Sequence, residues 1–239
     1  MERPIKSNHE LLDLLDRLFR SEEQWWDEFY EDREREIPFF VDVPDENLVS
    51  YFERSMVTAG NVLELGTGPG RNAIYMAEQG CKVDAVDLSA NAIKWGKERA
   101  SEKDLEITFM VQDVFSLDLA DGAYDLIYDS GLLHHLLPHR RFQYIELVNE
   151  KLKPGGHFGL VCFAPGFEDQ GGAAEKSDSS IYKVLSMQGG AAYSKENLEH
   201  LLSPYFELVE IRPMKDCDKG SNAYGKSFLW ASLWRKKVE

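Results

Sequence analysis

The chain is poor in the features that define several specialised protein classes. Its 239 residues hold three cysteines, Cys81, Cys162 and Cys217, odd in number, widely spaced and with no C-x-x-C pair. No disulfide framework or zinc spacing can be built from these, and the scattered acids and histidines show no ligand pattern, so no metal is expected. Such cysteine usage fits a reducing cytoplasm. No apolar run is long enough for a signal-peptide core or a membrane span, because Asp13 and Asp16 interrupt the leucine-rich stretch near the start. Positive charge is also scarce: 27 Lys and Arg stand against 42 Asp and Glu, a formal net charge of −15. Duplex binding relies on Lys and Arg to displace counterions, which makes nucleic acid a poor partner. A small molecule is the better expectation, bound by a cytoplasmic monomer or homodimer with no membrane partner.

What is present is an alternation. From about Asn61, short β-rich runs take turns with helical patterns: "NVLELG", "RNAIYMAEQG", "KVDAVDLS", "SANAIKWGKERASEK", "ITFMVQD", "YDLIYDS", "RRFQYIELVNEKLKPGG" and "HFGLVCFAP". Strands alternating with helices of this length predict a parallel sheet covered on both faces. Ser89 and Ser194 are expected helix N-caps, and Pro154 with its double glycine is expected to stop the third long helix. The closing runs "FELVEIRPMK" and "SFLWASLWRKK" have only a loop between them and should pair antiparallel. Between these parts, "GFEDQGGAAEKSDSSIYKVLSMQGGAAY" reads as a long, partly mobile excursion. Residues 1–57 form an N-terminal helical appendage, with Leu11, Leu14, Leu15, Leu18 and Phe19 at helical spacing and Asp45 capping a further helix. Residues 58–239 form the single α/β domain.

The stretch "LELGTGPGRNA" is a strand–glycine–helix corner at the carboxyl end of a parallel sheet, the expected ligand site of such a fold. Gly68, Gly70 and Ala73 satisfy a loose dinucleotide pattern, so a nicotinamide enzyme has to be weighed. Against it, Glu64 lies inside the strand where a dinucleotide site carries an apolar residue, and the glycines run one residue early. Asp87 ends the second strand, where a carboxylate can grip ribose hydroxyls. Asp113 ends the third, where one can accept from an adenine amino group. Glu64 and Asp113 make the site poor for a pyrophosphate and comfortable for a cation.

"VLELGTGPGRNAIYMAEQGCKVDAVDLS", "VQDVF", "YDLIYDSGLLHHL" and "LKPGGHF" resemble the successive motifs of the class I S-adenosylmethionine-dependent methyltransferases. The likeness runs from about Asn61 to Ala164. It implies a Rossmann-like, doubly wound, seven-stranded and mostly parallel sheet with an antiparallel last strand. It also implies S-adenosyl-L-methionine as cofactor. On this reading Gly66 and Gly68 approach the cofactor, with Thr67, Asn72 and Leu88 beside them. Asp87 then binds the ribose, Asp113 and Val114 frame the adenine, and Asp129 and Ser130 lie near the methionine end. Glu64 suits the ammonium group. Arg71 either meets the carboxylate or is a surface residue on the first helical turn.

Methyl transfer from a sulfonium is an in-line displacement, so the protein supplies alignment, plus a base if the nucleophile starts protonated. His134 and His135 are the candidate bases; the alternative is that they pack the loop. His139 is expected to be solvent-exposed. No Asn/Asp-Pro-Pro-aromatic run follows the fourth strand, which disfavours exocyclic base nitrogens as acceptors. Trp25, Trp26, Phe29, Tyr30, Phe39 and Phe40 would form an aromatic lid over the cofactor, with Trp26 and Tyr30 touching it. The Trp26–Tyr30 spacing resembles the small-molecule branch of the family, including thiopurine-, halide- and tellurite-methylating enzymes. The segment from Gly166 to Tyr193 is expected to form the other wall. The expected activity is therefore transfer to a small-molecule oxygen, sulfur or similar nucleophile. An NAD-linked oxidoreductase and a non-catalytic S-adenosylmethionine-binding protein are the competing readings, and a basic protein substrate is not excluded.

Overall fold

In the computed structural model, which describes residues 4–187 and 189–238, the runs read as strands assemble into one seven-stranded sheet. The strands β1 (Asn61–Leu65), β2 (Lys82–Asp87), β3 (Thr108–Val111), β4 (Tyr124–Ser130), β5 (Leu152–Phe163), β6 (Phe206–Pro213) and β7 (Leu229–Lys236) lie in the order β3-β2-β1-β4-β5-β7-β6. Neighbours among β1 to β5 pair parallel, and β7 runs antiparallel to both β5 and β6. Chain order reverses between β1 and β4, which opens a crevice at their carboxyl ends.

Eight helices surround the sheet among the described residues: α1 (Asn8–Arg17), α2 (Glu22–Phe29), α3 (Glu46–Glu53), α4 (Arg71–Glu78), α5 (Ala90–Glu102), α6 (Pro138–Lys151), α7 (Asp178–Val184) and α8 (Lys195–Leu202). Strand side chains alternate between faces, and this divides the core in two. Val62, Leu126 and Tyr128 pack with Leu48, Tyr51, Ile74 and Ile93 from α3, α4 and α5. Leu63, Leu65 and Ile127 pack with Tyr144, Val148, Leu198 and Leu202 from α6 and α8. Burial on both faces accounts for the consecutive apolar residues Val62–Leu63 in β1 and Leu126–Ile127 in β4. No described helix is long and apolar enough to cross a membrane.

Several local expectations need correction. Helix α6 ends at Lys151, ahead of Pro154, because Leu152 is already extended, with ψ 141°. Tyr124 pairs with Leu152 and Leu126 with His157, so Lys153 to Gly156 bulge out of the ladder, and proline's missing N–H removes no bond there. Asp45 stands at the N-cap of α3 but makes no side-chain cap; its carboxylate turns inward, as described below. The excursion after β5 contains α7, capped by Ser177, and pairs back on itself between Glu175 and Ala192; its residue Gln188 lies outside the described residues.

His139 is buried, not exposed. Its Nε2 stands 2.8 Å from Asp16 of α1 and its Nδ1 2.9 Å from the Tyr182 hydroxyl of α7. Arg140 adds a two-point contact to the same Asp16 carboxylate. Three helices distant in sequence meet at the His139 ring, α1 through Asp16 and α7 through Tyr182. A second tether holds α2: Asp27 accepts from the Ser89 hydroxyl and the Asn91 N–H, both at 2.9 Å. The segment before β1 is thereby fastened across the carboxyl edge of the sheet at two points.

Asp16→Ala should release α1 without unfolding the sheet, because a half-exposed ion pair contributes about 1 kcal/mol or less. The expected result is faster tryptic cleavage after Arg17 and Arg20 with a nearly unchanged urea midpoint. Equal cleavage rates would mean that the apolar face of α1 alone holds it.

Candidate active site

The glycine corner is built by backbone geometry that side chains cannot share. Gly66 and Gly68 have φ of +68° and +52°. A Cβ on Gly68 would lie 2.9 Å from the Tyr30 hydroxyl, and one on Gly66 would lie 3.0 Å from Leu132 Cβ. Close approach is therefore required on the cover side of the loop as well as within it. Asp87 fixes the loop from the neighbouring strand, its carboxylate accepting from Gly68 N–H at 2.8 Å and Ser89 N–H at 2.9 Å. Burial pushes Asp87 up to about pKa 6, opposed by those N–H donors.

Behind the loop lies a network that sequence reading missed. Asp45, fully buried, accepts from Asn72 Nδ2 at 3.0 Å and from the Tyr128 hydroxyl at 2.9 Å, while its own N–H donates to Asn72 Oδ1. Its other oxygen pairs with Arg71 at 2.7 Å. Arg71 also donates to Ser130 Oγ at 3.1 Å and lies over the Tyr224 ring at 4.6 Å. Of the two readings of Arg71, the surface one is overturned, because the side chain is only 9% exposed. Beside it, Glu64 is 1% exposed and accepts from the Thr67 hydroxyl at 2.5 Å. Burial raises its pKa to about 7, with Thr67 and Arg71 pulling the other way.

These groups border a cavity of about 1060 Å³. It brings together most of the residues singled out from sequence: Glu64, Gly66, Thr67, Gly68, Arg71, Asn72, Asp87, Leu88, Asp113, Val114, Ser130, Trp26, Tyr30 and both histidines. Asp129 is the exception. Its buried carboxylate is consumed by the N–H groups of Gly131, Leu132 and Leu133 and by the Tyr144 hydroxyl, so it shapes the loop after β4 and does not line the cavity. Asp113 caps the short turn that follows β3.

His134 and His135 pack ring to ring at 4.4 Å, with His134 also 4.1 Å from Phe163 and His135 4.9 Å from Trp26. Burial holds His134 well below the usual histidine range and brings His135 to about 3, so both are neutral imidazoles. Among the described residues, the segment from Gly166 to Tyr193 contributes only Gly171 to the lining; the far wall is made by Phe163, Tyr224, Phe228 and Leu229. Phe163 ends β5, Leu229 opens β7, and Tyr224 and Phe228 sit on the β6–β7 connection, where nothing in the sequence pattern marked them. The aromatic cover does form, with Trp26, Phe29, Tyr30, Phe39 and Phe40 in ring contact. Among the described residues no group of His, Cys, Asp and Glu is arranged to hold a metal ion.

Residues 62–156 match the family model of a methyltransferase domain. The chain is 25% identical to the 2-heptyl-1-hydroxyquinolin-4(1H)-one methyltransferase of Mycobacteroides abscessus, over 74% of this chain and 72% of that one. It is 36% identical to phosphoethanolamine N-methyltransferase 1 of Triticum aestivum, over 70% of this chain but 30% of the relative. It is also 31% identical to an uncharacterized methyltransferase of Synechocystis, over 51% of this chain and 53% of the relative. The chain thus spans about half or less of the length of these last two. Among solved structures, the Burkholderia thailandensis 1,6-didemethyltoxoflavin-N1-methyltransferase, with 1,6-didemethyltoxoflavin and S-adenosylhomocysteine bound, shares the fold at TM-score 0.67 and 20% identity. That likeness covers all of this chain and 94% of the other. A structure on the conversion of a disulfide bond into a thioacetal group in echinomycin biosynthesis gives TM-score 0.71 at 20% identity, covering 91% and 93%.

Two substitutions inside this network should move stability in opposite directions. Asp45→Ala leaves the Arg71 charge buried without its partner and should cost about 3–5 kcal/mol in urea unfolding. Glu64→Gln keeps an acceptor for Thr67 and removes a carboxylate whose folded-state pKa, about 7, exceeds its ordinary value of 4.5. A raised acid pKa costs stability once pH passes 4.5 and costs it fully above 7. The Gln variant should therefore melt higher at pH 8, by roughly a few degrees, and no higher at pH 4. A lower melting temperature at pH 8 would show that the ionised Glu64 is well solvated by its neighbours.

Proposed function

Since the chain belongs to the class I S-adenosylmethionine-dependent methyltransferases, we propose that its cavity binds the cofactor along the glycine corner and directs its methyl group to a small-molecule nucleophile. The observation that carries the reading is the pair of buried carboxylates, Glu64 and Asp87, flanking a loop with no room for a Cβ. Such a floor repels a pyrophosphate and suits a ligand with an ammonium group, ribose hydroxyls and a sulfonium, which disfavours the nicotinamide alternative.

S-adenosylmethionine, when bound, supplies a methyl carbon activated by its positive sulfur. The chain's own residues do the rest. Glu64 pairs with the ammonium group, Asp87 accepts from the ribose, and Asp113 and Val114 flank the adenine. Arg71, its charge balanced by Asp45, offers a positioned donor for the carboxylate. Trp26 and Tyr30 exclude water and present ring faces to the cationic sulfur. Asp129 acts only by shaping the loop that carries Ser130 and the histidines. A small-molecule acceptor fits both the volume of the cavity and the ring-bearing compounds named for two of the similar proteins.

Calorimetric titration with S-adenosylhomocysteine, with NADH as control, tests the reading. The adenosyl ligand should bind and NADH should not. Affinity for the adenosyl ligand should rise with pH from 5.5 to 8 and then level, because Glu64, with its pKa near 7, pairs with an ammonium group only when ionised. In Glu64→Gln the rise above pH 7 should vanish, leaving only the lower part that Asp87 contributes near pH 6, and binding should weaken by about 10- to 100-fold. Binding of NADH alone would overturn the assignment of the loop.

A further inference from the structure

One end of the cavity is walled by a continuous strip of rings. Trp26 lies 4.9 Å from His135, His135 4.4 Å from His134, His134 4.1 Å from Phe163 and Phe163 6.2 Å from Phe228. All five line the cavity. A strip of π-faces and edges this long complements a flat ring system, whose faces and edges it can engage together; an aliphatic chain has no such complement.

The same end lacks the apparatus of a general base. Among the described residues neither imidazole has a carboxylate behind it, and His134 Nδ1 is buried without a hydrogen-bond partner. Among the same residues no hydrogen bond orients His135, whose environment is set by burial and by the positive charges of Arg20 and Lys176. Base catalysis needs an oriented group with proton affinity near working pH, and this pair has neither. The charged groups around His135 come from several elements. Arg20 precedes α2 and lines the cavity; Glu22 is paired to it at 3.0 Å. Asp16 is engaged by His139 and Arg140, and Glu23 is exposed at the rim. Lys176 donates to the Met187 and Gly190 carbonyls. The charges that act on His135 are those of Arg20 and Lys176, both positive, whereas the glycine loop is floored by the acids Glu64 and Asp87.

We propose that the methyl acceptor is a planar aromatic compound whose nucleophilic heteroatom binds already ionised, its ring on the strip from Trp26 to Phe228 and its negative charge toward Arg20. The inference rests on the cofactor reading above. In the reaction the anionic heteroatom's electron pair forms the bond to the methyl carbon. The carbon–sulfur bond breaks with its pair retained on sulfur, and the sulfonium and anion charges cancel. No proton has to be moved, so His134 and His135 serve as neutral walls and hydrogen-bonding groups.

The probe is 4-nitrophenol, whose anion and acid absorb at different wavelengths, added to protein saturated with S-adenosylhomocysteine. Its ionisation midpoint should fall on binding by about one unit or more, and the fall should shrink in Arg20→Gln. Nitrobenzene, which carries the ring without the charge, should bind at least tenfold more weakly at pH 8. In turnover with S-adenosylmethionine and a series of phenols, the pH dependence of kcat/KM should follow each phenol's own ionisation. His135→Gln should cost less than about tenfold, against the 100-fold or more of a lost base. An unshifted or raised midpoint, or one enzyme-set break in pH for every phenol, would overturn the proposal. If S-adenosylhomocysteine binds and no ring does, this inference falls alone; if it fails to bind, the cofactor reading falls as well.

Discussion

The ion pair between Asp45 and Arg71 is the contact through which the parts of this molecule agree on one geometry. Four separate pieces of chain converge on it: the segment before α3, the first turn of α4, β4 through Tyr128 and Ser130, and the β6–β7 connection through Tyr224. Two charges are buried at once, which is costly unless every lone pair and proton is placed. Here Asn72 grips Asp45 at backbone and side chain, and the backbone pairing of Asp45 with Tyr224 holds the outer shell. The pair does more to fix the relative position of cover, loop and far wall than to add net stability. Without it, the glycine corner would have a floor but no agreed distance to the residues opposite.

Around that centre the cavity is polarised. Acids sit under the glycine loop, while the ring strip contains the two neutral imidazoles and lies near Arg20. On the proposed reading a cationic and an anionic reactant would be oriented before they touch, each by the charges that attract it. Alignment of this kind is the main thing a protein contributes to a displacement with a good leaving group. The raised pKa values of Glu64 and Asp87 have burial as their leading cause, as expected of dehydrated carboxylates that would, on the proposed reading, meet ligand charge.

The strand–helix alternation made the sheet legible in the sequence, and the lack of a helix before the final strand made its antiparallel end legible too. Glu64, Gly66, Gly68 and Asp87 were readable because a glycine corner has few backbone solutions and its acids are fixed by strand ends. Contacts made across the chain left no local trace. Asp45 sits where a helix cap belongs, and its sequence neighbours give no hint that Arg71 competes for it. His139 precedes two arginines and so reads as surface, although Asp16, distant in the sequence, draws it inward. Tyr224 and Phe228 stand in a loop with no period to betray a buried face. Asp129 shows the limit of a local reading: a strand-end acid can serve a ligand or its own following turn, and three N–H groups engage it here.

Tyr30 and Gly68 meet so closely that a methyl group at one would touch the hydroxyl of the other. The two positions are therefore coupled, although they belong to different parts of the chain. A smaller cover residue would remove the clash but not the demand for glycine, which the positive φ at residue 68 sets on its own. The constraint therefore runs one way: the fixed glycine leaves room for the tyrosine, and a chimera that brought a bulkier ring to position 30 from another lineage's N-terminal segment would fail first at this contact.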